Sequence, residues 1–460
     1  MSQETDWINE ALAADKADDC VVILRDTAQA NLRWAINSLT TNGQMHSRTA
    51  CVVAISRRDR TGHAGVVSGP VSSRADLVAL VHAADAAAAL APASDDAAPL
   101  PDPVVDPDYH AGPESTSIEV FASFAEGLGR GLVAYREAGQ ELFGFADHRV
   151  TTTWLATSAG ARRRHVERNG RVEINAKHAD RIGSAWVGQA TADFGDLDAD
   201  ALIAEVTRRL AWCENRVDLP AGRYETILPP SAVADFMIFA QWTMNGREAR
   251  QGRNVFAGPQ PGTTRVGERL TPLGLSLSSG PGVLPAAPFA VVTCSYPGMM
   301  SVYDNGADVS PESWITDGVL TNLADTRAEA RRCGIDGLRF PSRNLVLDSD
   351  STSTLDDMIR ATRRGLLLTC LWYMREVDTT TLLVTGLTRD GVYLIEDGKV
   401  TGMVNNFRFN ESPVDLLRRA SEASRSVPTL CRDWNNEVLW TTMPALRIPD
   451  FNLSTVSNAY

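Results

Sequence analysis

RRGLLLTCLWYMREVDTTTLLVTGLTRDGVYLIEDGKVTGMVNNFRFNESPVDLLRR, residues 363–419, is the stretch that decides how the second half of the chain folds. It contains three short β-rich runs, TTLLVTGL, GVYLIEDG and KVTGMVNN. Asp390-Gly391 and Asp397-Gly398 separate these runs, and Asp-Gly favours the positive φ angles of type I′ hairpin turns. The pattern predicts consecutive β-strands joined by tight turns.

Further structure is predicted on either side of this stretch. A β-rich run at 290–296 predicts another strand. Periodic apolar residues predict a helix at 353–365, ending at Gly365, and a second helix at 412–424. From about residue 221 the composition also shifts to Gly, Pro, Ser and Thr. We therefore expect residues 221–460 to form a large antiparallel β domain with inserted helices.

The N-terminal part has a different pattern. A helix is predicted at 73–91, with Ser73 as its N-cap. Asn42-Gly43 is a turn signal among β-rich runs. These runs are 21–24, 32–37 and 50–56. Strands followed by a helix predict an N-terminal α/β module over residues 1–91.

Two segments connect these halves. Residues 92–113 are rich in Pro and Asp, show no periodicity and predict an extended linker. Residues 114–220 predict a central domain of helices and antiparallel strands, in which Asn169-Gly170 is a strong hairpin signal. Its helices are predicted at 115–138 and 196–214. The predicted fold class for the whole chain is α+β.

The overall composition and charge disfavour some classes of function. The 460 residues carry a net charge of −13, with 44% hydrophobic and 22% charged residues. A globular protein is expected from this balance, and the acidic charge disfavours direct binding of nucleic acid. No apolar run reaches the roughly 18 residues of a membrane span. The first residues lack the apolar core of a signal peptide, so we expect a cytoplasmic protein without membrane contact.

Metal ligands and nucleophile motifs are scarce. The seven Cys are scattered without a C-x-x-C pair, and all seven His lie within the first 178 residues. No His pair has the helical spacing of a zinc site, and no G-x-S-x-G, P-loop or H-E-x-x-H motif is present. The sequence therefore shows no obvious catalytic centre.

Three local patterns each allow a functional and a structural interpretation. GLGRG at 127–131 is either a phosphate loop or a set of small residues at a helix contact. The basic run 162–164 is either a nucleic-acid patch or a solvated hairpin face. Four carboxylates within 348–357 either bind a hard cation or mark a helix start. Those carboxylates belong to Asp348, Asp350, Asp356 and Asp357. The structural interpretation is favoured in each case.

Three stretches together resemble the TldD/PmbA family, two-subunit metallopeptidases once called modulators of DNA gyrase. The first is NLRWAINSLTTNG at 31–43, with the strands and helix that follow it. The second is RYETILPPSAVADFMIFAQWTMNGREARQG at 223–252, continued by VGERLTP at 266–272. The third is the opening stretch, 363–419. The order and spacing of these stretches carry the resemblance over nearly the whole chain.

The resemblance implies a degenerate metal motif in the second stretch. Catalytic members carry H-E-x-x-x-H on this helix, whereas this chain has A-Q-W-T-M-N at 240–245. Ala240 stands at the first zinc His, Gln241 at the catalytic Glu and Asn245 at the second His. The third family ligand is a Cys near the C-terminus, and Cys431 falls in a similar place. Amides are poor zinc ligands and poor bases, so the pattern implies a non-catalytic TldE/PmbA-like subunit with no cofactor of its own.

The resemblance also implies partners. A TldD-like subunit would carry the zinc and form a heterodimer enclosing a chamber for unfolded peptides, bound extended at sheet edges. The runs 381–387 and 289–296 are candidate edge strands, with core strands as the alternative. The loop after the motif could line the chamber and grip the peptide, or could be a solvated loop. Its charged residues are Arg247, Glu248, Arg250 and Arg253.

Two other functions stay open. One is a metallopeptidase active by itself, using Cys431 with Glu248 or with the carboxylates of 348–357. The other is a regulator or scaffold that acts on gyrase by binding protein, as the older family name suggests.

Overall fold

The computed structural model describes residues 2–58, 60–180 and 182–458. Strands make up 40% and helices 24% of the chain, so the predicted α+β class is confirmed. The helices are α1 (Gln3–Ala13), α2 (Arg74–Leu90), α3 (Ala122–Glu137), α4 (Ala199–Ala211), α5 (Pro230–Thr243), α6 (Gly246–Arg250), α7 (Arg327–Cys333), α8 (Leu355–Ala361) and α9 (Pro413–Arg419). Among the described residues, no helix is long and apolar enough to cross a membrane.

The strands of the first half form one antiparallel sheet. They are β1 (Asp19–Ala35), β2 (Ser38–Arg58), β3 (Thr61–Pro70), β4 (Glu141–Thr157), β5 (Arg162–Lys177) and β6 (Ser184–Thr191). Their order is β3-β2-β1-β4-β5-β6. Because β1 pairs with both β2 and β4, the predicted N-terminal and central segments share this sheet. The division of the chain into separate domains stays a prediction.

The two faces of this sheet have different partners. One face packs against α1 and α2 at one end and against α3 and α4 at the other. The opposite face contacts the C-terminal half through Val21, Ile23 and Val53, which pack with Phe289 and Tyr303. The first half of the chain therefore lies directly against the second half.

The C-terminal half contains two further sheets. Their strands are β7 (Arg216–Val217), β8 (Gly222–Leu228), β9 (Leu275–Ser279), β10 (Glu312–Thr316), β11 (Val319–Leu320), β12 (Asn344–Ser349), β13 (Arg364–Leu368), β14 (Leu371–Asp378), β15 (Leu383–Thr388), β16 (Val392–Glu396), β17 (Lys399–Val404), β18 (Phe407–Glu411), β19 (Glu422–Ala423), β20 (Val427–Thr429), β21 (Trp440–Met443) and β22 (Leu446–Val456). One sheet has the order β11-β10-β9-β12-β21-β20. The other has the order β14-β15-β18-β22-β8-β13-β16-β17-β7, with β19 on β22. Most pairs are antiparallel, and α5 packs against both sheets.

Two of the predicted turns in the first sheet are wrong. Residues 42–43 lie inside β2, and the turn between β1 and β2 falls at Ile36-Asn37, both with positive φ. Asn169-Gly170 lies inside β5, where the two residues pair with Arg149 and His148 of β4. Pairing with a long neighbouring strand outweighs a local turn preference, because a turn there would break the ladder.

The elements of the opening stretch are mostly confirmed. The predicted strands correspond to β15, β16 and β17, and Asp397 and Gly398 both have positive φ in the hairpin between β16 and β17. Asp390-Gly391 joins β15 to β16, which are not neighbours in the sheet, so the predicted hairpin is wrong. The predicted helix at 353–365 ends earlier, at Ala361, and Gly365 lies in β13.

The two candidate edge strands occupy other positions. The run 381–387 supplies most of β15, which lies between β14 and β18, so it is an interior strand as in the alternative interpretation. Residues 290–296 form no regular strand and have isolated bridges around them instead. The strand at that edge of the larger sheet is β14.

Two structural interpretations from the sequence are confirmed. A Cβ at Gly127 would lie 2.6 Å from Ala199 and one at Gly131 would lie 2.3 Å from Ile203, so these glycines allow α3 to approach α4 closely. Thr354 and Asp357 form a capping box at the start of α8. Hydrogen bonds from Thr354 lower the pKa of Asp357 to about 2.

The linker and the basic run contact each other, contrary to the expectation of a solvated face. Arg163 is only 4% exposed, and its Nε donates to Asp106 at 3.2 Å. The backbone N–H of Arg164 donates to the same carboxylate at 2.8 Å. Residues 92–113 contain no regular helix or strand, and their aspartates tie them to the folded body.

Candidate functional site

The helix on which the resemblance places the degenerate motif is buried along most of its length. Pro229 and Pro230 begin α5, and proline is favoured in the first turn because no helical partner awaits its missing N–H. The helix ends at Thr243, and Asn245 then caps α6. Ala240 is 1% exposed and packs in the core between the two C-terminal sheets.

The two amide side chains of the motif, those of Gln241 and Asn245, form hydrogen bonds with backbone groups. The Gln241 Nε2 donates to the carbonyl of Ser342 at 3.1 Å. The Asn245 Nδ2 donates to the carbonyl of Pro297 at 3.0 Å, while its Oδ1 accepts from the N–H of Glu248 at 3.2 Å. Both side chains therefore hold the end of α5 and the following loop in place.

Cys431 lies in the core. Its thiol donates to the carbonyl of Val438 at 3.1 Å, and burial raises the pKa of the thiol well above its ordinary value. Within the described ranges, no three His, Cys, Asp or Glu side chains are grouped so that they could hold a metal ion. An alanine, two hydrogen-bonded amides and a protonated thiol do not match the donors that zinc needs, so this donor set does not fit the family's zinc.

Aromatic side chains pack around the end of α5. The rings of Trp242 and Trp434 have centroids 4.9 Å apart, and Phe239 completes the cluster at 5.6 Å from Trp242 and 5.9 Å from Trp434. The guanidinium of Arg375, on β14, lies 5.9 Å from the Trp434 ring. The segment after Cys431 thus covers the helix that carries the degenerate motif.

Asp235 is a buried carboxyl on α5 that sequence reasoning missed. It is 0% exposed, and its Oδ1 accepts from the N–H of Asp433 at 2.9 Å. Its other oxygen has no hydrogen-bond partner among the described residues. Burial raises the pKa of this carboxyl well above its ordinary value. No sequence signal identified this group, because its partner lies 198 positions away.

The structure separates the three arginines of the loop. Arg247 donates from Nη2 to Asp95 of the linker at 2.8 Å. Arg250 pairs with Asp325 and with Glu329, at 3.2 Å from the latter. Arg253 has no ion-pair partner among the described residues and lines a cavity.

That cavity has a volume of about 270 Å³ and opens to solvent at the end of α5. Its lining residues are Trp242, Thr243, Glu248, Arg253, Tyr296, Glu376 and Thr379. The Tyr296 hydroxyl donates to Glu248 at 3.3 Å, and the Thr379 hydroxyl donates to Glu376 at 2.8 Å. Burial, followed by the charge of Glu248, raises the pKa of Tyr296.

The cavity lies beside an outermost strand of a sheet, in which the N–H of Met374 already donates to Asp433 at 2.9 Å. Glu376 belongs to β14, the outermost strand on this side of the larger C-terminal sheet. One edge of β14 pairs with β15, which leaves its other edge without a strand partner among the described residues. Two predicted chamber residues, Glu248 and Arg253, therefore lie in a cavity next to an edge that can accept an added strand.

Similar proteins were found by family and by structure. Residues 221–455 match the family model described as PmbA/TldA metallopeptidase C-terminal domain. TldE from Thermococcus kodakarensis has the same fold, with a TM-score of 0.75 and 15% identity, over 98% of this chain and 99% of that one. No curated protein matches the chain significantly.

Two further solved structures share the fold. A candidate modulator of a DNA gyrase from Thermotoga maritima has a TM-score of 0.74 and 13% identity, over 98% of this chain and 100% of that one. A candidate modulator of DNA gyrase from Bacteroides thetaiotaomicron has a TM-score of 0.74 and 14% identity, over 99% and 100%. Because the family model spans just over half of its residues, the chain belongs to the PmbA/TldD metallopeptidase family.

Proposed function

We propose that this chain is a non-catalytic, TldE/PmbA-like subunit that pairs with a TldD-like zinc subunit to cleave unfolded peptides. The observation that carries the proposal is the commitment of Gln241 and Asn245 to backbone carbonyls at the end of a buried helix. Both amide nitrogens are fixed as donors, the Asn245 oxygen accepts from the N–H of Glu248, and an amide is a poor zinc ligand and a poor base. The zinc and the base that activates water would then come from the partner chain.

The rival in which this chain hydrolyses peptides by itself has less support. It needs Cys431 to join Glu248 or the carboxylates of 348–357 around one ion. Cys431 is fully buried and donates to Val438, whereas Glu248 lines the open cavity and Asp357 caps α8. These groups take part in three separate local structures.

Peptide binding is assigned to the cavity and the free edge of β14. An extended chain that adds to this edge gains main-chain hydrogen bonds without regard to its sequence, which suits unfolded substrates of many kinds. Exposed Tyr373 and Val377 on the same strand would contact its side chains. The two subunits together would close the chamber over the peptide.

The test is co-expression with a TldD-like chain from the same genome. We expect one complex on size-exclusion chromatography, about one zinc per heterodimer, and cleavage of an unfolded peptide only when both chains are present. The chain alone should bind well under one zinc per protomer. A stoichiometric zinc in the isolated chain that is lost in Cys431→Ser, or hydrolysis by the isolated chain, would overturn the proposal.

The cytoplasmic location stays a prediction, as does the lack of direct contact with nucleic acid. No contact in the described residues favours gyrase binding over peptide binding. Pull-down of gyrase subunits by the purified chain, compared with pull-down of the TldD-like chain, distinguishes the scaffold from the peptidase subunit.

A further inference from the structure

We propose that the cavity at the end of α5 binds a cationic group of the peptide, either a Lys or Arg side chain or the N-terminal ammonium. The inference deepens the proposed function and rests on it for the identity of the ligand as a peptide. The preference itself belongs to this chain and can be measured without its partner.

The carboxylates of the cavity are not neutralised by neighbouring cations. Glu248 accepts only from the Tyr296 hydroxyl and Glu376 only from the Thr379 hydroxyl among the side-chain contacts of the described residues. Neither carboxylate has an Arg or Lys nitrogen within 4.0 Å among the described residues. A hydroxyl donor leaves most of the lone pairs of a carboxylate free, so both can accept further N–H groups.

The charge balance of the lining favours a cation. Two carboxylates face one guanidinium, that of Arg253, and the remaining side chains are neutral. Glu248, Glu376 and Arg253 line the same cavity as Tyr296, whose hydroxyl donates to Glu248. A bound ammonium or guanidinium would convert this net negative site into a neutral one, with hydrogen bonds to charged acceptors.

The aromatic wall has a fixed orientation. Trp242 packs edge-to-face against Trp434 at 78° and against Phe239 at 65°, so its ring has little rotational freedom. An indole face attracts Lys and Arg more strongly than the rings of Phe or Tyr do. The cavity therefore combines an aromatic surface with two carboxylates, as sites for cations commonly do.

The volume and the position of the cavity suit a peptide side chain. About 270 Å³ is room for one long side chain and a few waters. Alternate residues of a strand added to β14 would point toward the side on which Glu376 lies, so one residue in two could reach the cavity. Main-chain pairing would give general affinity, and the cavity would add a preference at one position.

The test measures the affinity of fluorescein-labelled peptides for the isolated chain by fluorescence anisotropy. All the peptides are based on one unfolded sequence. One peptide has a single Arg and an acetylated N-terminus, a second has Gln in place of that Arg, and a third has Gln and a free N-terminus. We expect the Arg or the free-amine peptide to bind at least tenfold more tightly than the uncharged one, and added salt to reduce the difference. The peptide that binds more tightly shows whether the bound cation is a side chain or the N-terminal ammonium.

Variants assign the preference to the cavity. Glu248→Gln combined with Glu376→Gln should abolish it, while Arg253→Ala should increase it by removing the competing cation. The matched control, Glu126→Gln with Glu137→Gln on α3, removes two charges outside the cavity and should leave the preference unchanged. Equal binding of charged and uncharged peptides, or a preference that survives the double Gln variant, would overturn the inference.

The two proposals fail in different experiments. Loss of the charge preference with an intact, active heterodimer would remove only the cation site. Absence of any heterodimer together with a clear preference for cationic peptides would remove only the subunit role.

Discussion

Trp434 packs edge-to-face against Trp242, with ring centroids 4.9 Å apart and ring planes at 78°. Trp434 lies three residues after Cys431, and Trp242 lies on α5 within the degenerate motif. The segment that follows Cys431 therefore packs an aromatic ring on this helix.

Trp434→Ala should destabilise the fold by about 2–4 kcal/mol, because it removes a large ring from a packed cluster and leaves a cavity. Trp434→Phe keeps much of the contact and should cost less than half as much. Denaturant unfolding followed by circular dichroism measures both. Equal losses for the two variants would show that ring packing is not what stabilises this contact.

Asn245→Ala should cost about 1–3 kcal/mol. The variant loses the cap of α6 and leaves the carbonyl of Pro297 without this donor. At neutral pH Asn245→Asp keeps the cap acceptor but, as a carboxylate, loses the donor to Pro297, so its thermal midpoint should lie below that of the wild type. Differential scanning fluorimetry compares the three proteins. An unchanged midpoint in Asn245→Ala would contradict the structural role given to this amide.

Restoring the metal motif should not restore a metal site. Ala240→His places an imidazole where the side chain is 1% exposed, and overpacking of a dense core usually costs about 1–3 kcal/mol. The triple variant Ala240→His, Gln241→Glu, Asn245→His should melt lower than the wild type and bind no stoichiometric zinc. Elemental analysis gives the metal content. One tightly bound zinc per protomer with wild-type stability would show that the site needs only its ligands.

Arg250 should contribute more to the stability of the fold than Arg253 does. Arg250→Ala leaves Asp325, 1% exposed, without its paired cation and removes one of the two arginines that pair with Glu329, which should cost about 3 kcal/mol or more. Arg253→Ala removes a solvent-facing side chain and should change stability by less than about 0.5 kcal/mol. Urea midpoints at one pH compare the two. Similar losses would show that Arg253 has a buried partner.

Stability should depend on pH through Asp235. Burial raises its folded pKa well above the value of about 3.9 for an unfolded chain, so above pH 4 the unfolded state releases a proton that the folded state keeps. This contribution to stability is full below that pH and is lost as pH rises toward the folded pKa. Asp235→Asn keeps an oxygen for the N–H of Asp433 and has no proton to release. Its stability relative to the wild type should therefore increase from pH 5 to pH 7.5, and a constant difference would refute the assignment.

Local chemistry made several elements of the chain predictable. Ser73 caps α2 and its partner Asp76 completes a capping box, all within four residues. Asp397-Gly398 has the two positive φ angles that its hairpin requires. The course of α5 and the absence of His from its end can likewise be read from consecutive residues. Such features depend on neighbours in the chain, so a sequence contains their causes directly.

Contacts between distant segments decided the rest. Asn169-Gly170 is a turn signal by itself, but pairing with β4 keeps both residues in a strand. Arg247 and Arg253 look alike in the sequence, yet only Arg247 meets a carboxylate, 152 positions away in the linker.

The sequence by itself determined the α+β class, the family resemblance and the lack of zinc ligands in the motif. Only the tertiary structure decided that the motif's amides close hydrogen bonds to backbone carbonyls, that β14 is a sheet edge, and that Glu248 and Glu376 share a cavity. The reason is physical. Helix caps and tight turns are set by interactions over a few residues, whereas burial, pairing and charge compensation depend on groups that meet only when the chain has folded.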